Sequence, residues 1–213
     1  MNWAHTLDAA WHVLLGKWRL RRCTRVGRLP RVYGRPRITN PGEIVVGDKF
    51  RFFSTTVPSE MVAHAGGRIE IGNNVFINYG ASLSAHQRVR IGDSCQLGSY
   101  ACLMDNDYHG VEERGRAGES KPIILGRNVW LGVRVIVLKG VTIGDNAVIG
   151  AGSVVTRDIP ANCLAAGVPA RVIRAFEPPD HRVSSGSRTS ASPCLVPGAG
   201  GARVTTNSSA RCP

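Results

Sequence analysis

Residues 125–155 read LGRNVWLGVRVIVLKGVTIGDNAVIGAGSVV, and this stretch decides the fold. Large aliphatic residues recur in it in steps of six, at Leu125, Leu131, Val137, Ile143, Ile149 and Val155. Four places after each comes a small or β-branched residue, at Val129, Val135, Val141, Ala147, Ser153 and Ile159. A step of six would scatter these positions over several faces of an α-helix, whose period is about 3.6 residues. It suits short strands joined by tight turns, three strands to a coil, which is typical of a solenoid.

The sequence therefore predicts an all-β protein, a parallel β-helix of hexapeptide repeats. An ordinary antiparallel β domain is the alternative, but its strands would recur at longer and less regular spacing. We expect three parts: an N-terminal amphipathic helix and basic segment (1–37), the β-helix (38–174) and a low-complexity tail (175–213) that should be disordered. Within the β-helix, the stretch from Arg51 to Arg68 breaks the period and is expected to be a loop or an irregular coil.

The formal net charge of +12 points to an anionic partner. Nine basic residues lie between Lys17 and Arg37 with no acidic residue among them, so the repeat region carries little of the excess. Nothing in that run resembles a nucleic-acid-binding module, and we expect no nucleic-acid partner. The six cysteines show no metal-ligand spacing and predict neither a metal site nor a disulfide scaffold, which is consistent with a reducing cytoplasm.

The N-terminal segment repeats apolar residues every three to four positions, the pattern of an amphipathic helix, at Trp3, Leu7, Trp11, Leu14, Leu15 and Trp18. We favour a helix that caps the first coil, because repeat proteins need capped ends. The alternative is a peripheral membrane contact, with Trp at the interface and Arg toward anionic lipid. No apolar run reaches a spanning length and no signal peptide is evident. We therefore expect a cytoplasmic protein, with the membrane surface as the alternative location.

Two insertions interrupt the ladder of aliphatic residues. The step from Leu83 to Ile91 is eight residues, and the step from Leu103 to Leu125 is twenty-two. Counting three strands to a coil places both insertions at the third corner of consecutive coils. We therefore expect them to stack on one edge of the prism.

That edge carries His86 in the short bulge and His109 in the long loop. Loops that project from a rigid scaffold are where function concentrates, and a long insertion in a tight ladder needs a reason. The other histidines have no such setting; they are His5, His12, His64 and His181.

Three segments closely resemble the hexapeptide-repeat acyltransferases: GRNVWLG at 126–132, GVTIGDNAVIGAGSVVT at 140–156 and AGVPAR at 166–171. Within that family the chain looks most like the maltose and galactoside O-acetyltransferase branch and related polysaccharide acetyltransferases, over residues 69–174. The resemblance implies a left-handed β-helix, usually a homotrimer, with acetyl-CoA bound in a cleft between neighbouring subunits. It also implies transfer of an acetyl group to a hydroxyl of a sugar, glycan or lipid-linked saccharide.

Members of this family use one loop histidine as general base, and His109 in MDNDYHG (104–110) matches it in order and setting. A neutral imidazole can take a hydroxyl proton as the oxygen attacks the thioester. No covalent enzyme intermediate is needed when both substrates are held together. The family often has a His-Pro pair in this loop, which this chain lacks, so Asn106 is the alternative occupant of the base position.

On the acceptor side, the resemblance matches Asn78 to an asparagine of the sugar enzymes. It also matches the short bulge, where those enzymes carry an acidic residue and this chain has His86. The acceptor is therefore expected to differ from simple sugars.

For acetyl-CoA, Gly132 and Val133 match the turn whose backbone faces the thioester, where an N–H can stabilise the oxyanion. Ala151 matches a small residue on the pantetheine path. The positions that meet the nucleotide end, where guanidinium suits phosphate, are matched by Thr156, Arg157, Arg171 and Arg174. The last two share a face only if the segment after Pro169 is helical. The alternative for these arginines is a solvated basic end of the solenoid.

Two competing hypotheses remain. One is a zinc carbonic anhydrase-like enzyme on the same fold, for which His64, His86 and His109 lack the ligand spacing. The other is a non-catalytic scaffold, because a fold does not determine a function. We expect acetyl-CoA as acyl donor and no metal.

Overall fold

A computed structural model describes residues 3–110 and 112–176, with the side chains of the first helix described from residue 11 onward. Within these residues, one helix precedes twenty strands. The elements are α1 (Trp3–Arg19), β1 (Arg25–Val26), β2 (Arg31–Gly34), β3 (Arg37–Thr39), β4 (Glu43–Val46), β5 (Arg51–Ser54), β6 (Glu60–Ala63), β7 (Arg68–Ile71), β8 (Phe76–Ile77), β9 (Ser82–Ala85), β10 (Arg88–Ile91), β11 (Gln96–Leu97), β12 (Cys102–Met104), β13 (Ile123–Leu125), β14 (Trp130–Leu131), β15 (Ile136–Val137), β16 (Thr142–Ile143), β17 (Val148–Ile149), β18 (Val154–Val155), β19 (Cys163–Gly167) and β20 (Ala170–Ala175).

The strands form three sheets that run along a prism. Sheet 1 contains β1, β4, β7, β10, β13 and β16; sheet 3 contains β3, β6, β9, β12, β15 and β18. Sheet 2 contains β2, β5, β8, β11, β14, β17, β19 and β20, and only its last pair, β19 with β20, is antiparallel among the described strands. The chain returns to the same sheet every third strand, so three strands make one coil. The predicted all-β parallel β-helix is confirmed.

The repeat builds the core by stacking like on like. Leu97 lies in register with Leu131, and Leu131 with Ile149, on successive coils of sheet 2. All six ladder residues and all six residues in the small slot are buried. Full burial of one aliphatic side chain contributes about 1.5–3 kcal/mol, which the ladder repeats at every corner. Cys95 is likewise buried in a small slot, with its Sγ 3.1 Å from the carbonyl oxygen of Gly126.

The β-helix starts earlier than predicted, and the stretch from Arg51 to Arg68 contributes two strands to a coil with lengthened turns. Strands β1 and β2 precede residue 38 and pair in parallel with β4 and β5. Strands β5 and β6 occupy this stretch, so the expected loop is wrong and the alternative, an irregular coil, describes it. The corner residues of this coil are Phe52 and Met61, both buried, and they stand nine positions apart. This step of nine residues departs from the six-residue period, so the sequence pattern does not reveal the coil.

Helix α1 caps the first coil, as we favoured. Leu20, just after the helix, is fully buried, and the Arg19 guanidinium donates a 2.6 Å hydrogen bond to the carbonyl oxygen of Val32. A Cβ on Gly16 would lie 2.5 Å from the carbonyl oxygen of Pro30, so glycine is what allows this close approach. The opposite side of the helix is exposed. Within the described residues, no helix is long and apolar enough to cross a membrane.

After Pro169 the chain is extended. Strand β20 pairs with β19, so the helical turn that would place Arg171 and Arg174 on one face is absent from this segment. The strand pairing wins because β19 continues sheet 2 and leaves its outer edge open to a partner. From residue 177 onward the predicted disordered tail lies outside the described residues.

Candidate active site

Three turns lengthen at one edge of the prism, where the chain passes from sheet 3 to sheet 1. They are residues 64–67 after β6, 86–87 after β9 and 105–122 after β12. We call this the insertion edge. The short bulge and the long loop meet there directly, which confirms that the two insertions stack on one edge.

The contact between them is made by Asp105, which is fully buried. Its Oδ1 accepts the backbone N–H of His86, and its Oδ2 accepts those of Gln87 and Arg88, each at 2.7 Å. Buried N–H groups need acceptors, and the bulge has lost its regular ladder partners. One carboxylate therefore replaces them and fastens the start of the long loop to the bulge.

The next residue, Asn106, fixes the proton of His86. Its Oδ1 accepts the N–H of Tyr108 at 2.9 Å, while its Nδ2 lies 3.2 Å from Asp105 Oδ1 and 2.6 Å from His86 Nδ1. The N–H of Tyr108 requires the amide oxygen and the carboxylate requires the amide NH₂, so this network assigns the orientation of the amide. Nδ2 then donates to Nδ1, and His86 carries its proton on Nε2.

His64 lies next to His86, a position that the sequence analysis did not predict. Its ring stacks on that of His86 with centroids 3.7 Å apart and planes at 24°. The expectation that His64 has no functional setting is thus corrected; the error came from the break in the period of its coil. A signal was present, because the dipeptide Ala-His recurs at 63–64 and 85–86 and Ala63 lies in register with Ala85.

Tyr108 and Ser84 complete this group. The Tyr108 hydroxyl is 2.8 Å from Ser84 Oγ, which is 3.4 Å from His64 Nε2. The Tyr108 ring stands perpendicular to that of His86, with centroids 5.3 Å apart. We call His64, Ser84, His86, Asn106 and Tyr108 the histidine cluster.

Burial, and then the neighbouring His86, lower the pKa of His64 below its usual value, against the opposing effect of Asp105. Both rings are half-buried. With its pKa lowered, His64 is predominantly neutral near pH 7.

His109 lies on the long loop with its side chain exposed. Its N–H donates to the carbonyl oxygen of Asp107 at 2.7 Å, and its backbone forms an antiparallel bridge with Ala117. Lys139, on the next coil, holds the same loop through 2.6 Å contacts to Asp107 and Glu119. The imidazole is therefore displayed to solvent on a fastened loop.

A second edge, between sheets 2 and 3, carries the T-shaped ring pair Tyr79 and Tyr100, and we call it the tyrosine edge. Four of the predicted site residues lie there: Asn78, Gly132, Val133 and Ala151. Asn78 precedes β9 and His86 follows it, so the two predicted acceptor residues stand on different edges of one chain.

Gly132 and Ala151 stack on adjacent coils. A Cβ on Gly132 would lie 2.7 Å from the backbone nitrogen of Ala151, so only glycine fits there. The N–H of Gly132 is already donated to the carbonyl oxygen of Ile149. This leaves the N–H of Val133, which has no acceptor among the described residues, as the donor that the turn can offer.

The predicted nucleotide-binding residues fall on two elements. Thr156 and Arg157 follow β18 at the insertion edge and are exposed. Arg171 and Arg174 are exposed on β20, where the Arg174 guanidinium lies 5.2 Å from the ring centre of Phe176. Although β20 is extended, a register shift in its pairing with β19 sets Arg171 opposite Ala166 and Arg174 opposite Leu164. The two arginines therefore lie on the same face of the strand without a helical turn.

No three His, Cys, Asp or Glu side chains in the described part of the chain are arranged to hold a metal ion. The rings of His64 and His86 stack face to face.

Comparison with known proteins gives consistent matches. A family model described as the hexapeptide repeat of succinyl-transferase matches residues 122–157. Galactoside O-acetyltransferase of Escherichia coli K12 is 46% identical over 111 residues, which cover 51% of this chain and 55% of that protein. A putative lipopolysaccharide biosynthesis O-acetyl transferase of the same organism is 31% identical over 150 residues, covering 65% of this chain and 75% of that one.

Among solved structures, a galactoside acetyltransferase in complex with coenzyme A superposes with a TM-score of 0.54. It is 33% identical, and the match covers 75% of this chain and 68% of that one. The chain thus spans little more than half the length of the first relative and over two thirds of the other two.

Proposed function

The chain belongs to the hexapeptide-repeat acetyltransferase family, and from this premise we propose that it moves an acetyl group from acetyl-CoA to a hydroxyl of a sugar or glycan. One observation carries the proposal: a rigid β-helix displays an exposed histidine on its long loop, beside a half-buried polar cluster on the same edge. Two relatives are named for O-acetylation of galactosides and for lipopolysaccharide biosynthesis, and a structural neighbour binds coenzyme A.

His109 is the proposed general base. Its imidazole takes the proton of the acceptor hydroxyl while the oxygen attacks the thioester carbon. The C–S bond then breaks, and the imidazolium returns the proton to the departing sulfur, so that CoA leaves as its thiol. The alternative, Asn106, is an amide without a basic lone pair, and its polar atoms are all engaged by Tyr108, His86 and Asp105. These contacts favour His109 as base and give Asn106 a positioning role.

The tyrosine edge is proposed to receive the acyl donor. The N–H of Val133 is available for the thioester oxygen as it becomes negative, an effect worth about 2.7–4 kcal/mol in other enzymes. Gly132 and Ala151 present a surface without bulk along which pantetheine can lie. Thr156, Arg157, Arg171 and Arg174 are proposed for the nucleotide end, with Arg171 and Arg174 on one face of β20.

We propose a homotrimer, which this division of roles supports. The proposed base stands on the insertion edge and the proposed thioester donor on the tyrosine edge of the same prism. A complete cleft needs a second copy that presents its tyrosine edge to the first copy's insertion edge. Such a head-to-tail contact closes into a ring, and a three-sided prism suits a ring of three.

We also propose a cytoplasmic protein that touches the membrane surface through α1. Trp11, Leu14 and Trp18 are 62%, 63% and 60% exposed on the side of the helix that does not cap the coil. Lys17 lies among them, and Arg21 packs 4.4 Å from the Trp18 ring. An apolar strip flanked by cations fits the interface of an anionic bilayer.

The test is acetyl transfer from acetyl-CoA to a panel of sugars, glycans and sugar nucleotides, read by mass spectrometry. We expect one acetyl group added to at least one member, only when acetyl-CoA is present. A protein that transfers acetyl to no member and does not bind CoA would favour the non-catalytic scaffold.

A further inference from the structure

The histidine cluster restricts the kind of acceptor that the insertion edge can hold. We propose that His86, oriented by Asn106 and stacked on His64, binds an anionic oxygen group of the acceptor, a carboxylate or a phosphate, next to the hydroxyl that is acetylated. This inference rests on the proposed function and names the acceptor class of the same site.

The direction of the hydrogen bond between Asn106 and His86 determines what His86 can bind. Nδ1 of His86 is occupied by the Asn106 amide at 2.6 Å, so the ring offers only its Nε2–H. No group among the described residues accepts that proton. His86 therefore presents a donor, where an acidic side chain would present an acceptor, and the group that meets it must supply an oxygen lone pair.

The orientation of the His86 ring is fixed by its neighbours. His64 supports the face of the His86 ring at 3.7 Å, and the Tyr108 ring stands perpendicular to it. These contacts fix the plane in which Nε2–H points, so little rotamer entropy is lost when the bond forms.

The charges of the carboxylates near the histidine cluster affect the binding of an anion. The carboxylate of Asp105, next to the histidine cluster, is fully buried and accepts three backbone N–H groups. Asp107 and Glu119 on the long loop are both paired with Lys139. Lys139 thus offsets the charge of these two loop carboxylates, and the oxygens of Asp105 are directed at the bulge backbone. An incoming anion would gain a charge-assisted bond, about twice as strong as the bond to a neutral hydroxyl.

A matched set of acceptors tests the proposal: methyl galactoside, methyl galacturonide and galactose 6-phosphate, which differ at one carbon. We expect the wild type to acetylate one or both anionic acceptors with a kcat/KM about tenfold above that of the galactoside, the factor for one bond of this difference. The carboxylate and phosphate arms show which anion fits. A wild type that prefers the neutral galactoside would overturn the inference.

Two variants separate a specific contact from a general charge effect. His86→Asp should abolish or reverse the preference for the anion. Gln87→Asp places the same charge one residue further along the exposed bulge and should leave the preference within about threefold, since a solvated charge is screened. If both variants shift the preference equally, His86 makes no specific contact and the proposal fails.

A binding measurement keeps this inference independent of turnover. In ¹⁵N-histidine NMR spectra of the full chain with CoA, His86 should be the Nε2–H tautomer, and its Nε2 signal should move with methyl galacturonide or galactose 6-phosphate but not with the galactoside. An Nδ1–H tautomer, or a signal that no anionic sugar moves, would refute it. If the signal moves but no acceptor is acetylated, the proposed function fails while the anion site stands.

Discussion

At the scale of single residues, the buried carboxylate of Asp105 holds the bulge and the long loop together. Asp105→Asn keeps the shape of the side chain but turns one acceptor oxygen into an NH₂ that faces backbone donors. Hydrogen bonds to charged groups contribute about 1.5–3 kcal/mol, and an orphaned buried N–H costs about 1–3 kcal/mol. We expect the free energy of unfolding to fall by about 3 kcal/mol, measured by urea denaturation.

The control for that prediction is Asp107→Asn, two residues along the same loop. Asp107 pairs with Lys139 at 2.6 Å but keeps 32% of its side chain exposed. A surface ion pair contributes about 0–1 kcal/mol, so this variant should be close to wild type. Equal losses in the two variants would contradict the role given to Asp105.

His109 is a residue whose removal should affect chemistry and leave stability alone. His109→Ala should lower the rate of acetyl transfer by about 10²–10⁴-fold, the usual contribution of a general base. The melting temperature should stay unchanged because the side chain is exposed. Turnover is measured by release of free CoA with an acceptor from the panel. Near-wild-type turnover would remove His109 as the base and direct attention to the histidine cluster.

At the scale of elements, the long loop of residues 105–122 is fastened to the next coil by Lys139. We expect Lys139→Met to remove both contacts, with Asp107 and Glu119, while the stacked strands stay intact. Hydrogen–deuterium exchange should then show lower protection of the loop amides and unchanged protection of β12 and β15. Unchanged protection in the loop would show that the contacts of Asp105 suffice to hold it.

Acidic pH should also lower the hydrogen-exchange protection of the loop amides in the wild type. Hydrogen bonds from Lys121 and then Lys139 lower the pKa of Glu119 from 4.5 to about 2. A lowered folded-state pKa means that the contact stabilises fully above pH 4.5 and is lost as the pH falls from there toward about 2. Protection factors of the loop should therefore decrease over that window in the wild type. Lys139→Met, which has already lost that contact, should show a smaller change.

Helix α1 uses one side as a cap and leaves Trp11 and Trp18 exposed on the other, where we propose the membrane contact. Replacing both Trp11 and Trp18 by Ala should abolish co-flotation with vesicles that contain phosphatidylglycerol, and added salt should weaken the binding of wild type. Trp130→Ala is the matched control, since that side chain is 56% exposed on β14, in sheet 2. Undiminished flotation of the double variant would exclude α1 as the contact.

The strands that the sequence predicted are those whose corners repeat without interruption. From Leu125 to Val155 each corner follows the last by six residues, and the corresponding strands β13 to β18 are present. The coil that holds Phe52 and Met61 was missed because insertions on both of its edges change the step. Because the strands of that coil were not predicted, the position of His64 beside His86 was not predicted either.

The candidate site was predictable only in part, for the same reason. His86 and His109 could be placed on one edge by counting strands, because that is a property of spacing. The hydrogen bonds from the bulge backbone to Asp105 could not be predicted, because they depend on how residue 105 lies over residues 86–88 in three dimensions. The position of the proton on His86 depends in turn on these hydrogen bonds.

At the scale of the whole molecule, one chain cannot complete the proposed cleft. His109 lies on the insertion edge and the Val133 N–H on the tyrosine edge, so the proposed site needs two copies in contact. Light scattering should give a particle mass three times that of the 22.9 kDa chain. A stable monomer with full activity would refute the assembly.

Mixing two inactive variants shows whether the site is shared between copies. His109→Ala removes the proposed base, and Val133→Pro removes the proposed oxyanion donor because proline has no N–H. Each homotrimer should be nearly inactive. In mixed trimers formed at equal ratio, a site is intact when a chain with His109 meets a neighbour with the Val133 N–H. That occurs at about one interface in four, so co-expression should restore about a quarter of wild-type activity. If the mixture is no more active than the two variants measured separately, both groups act within one chain.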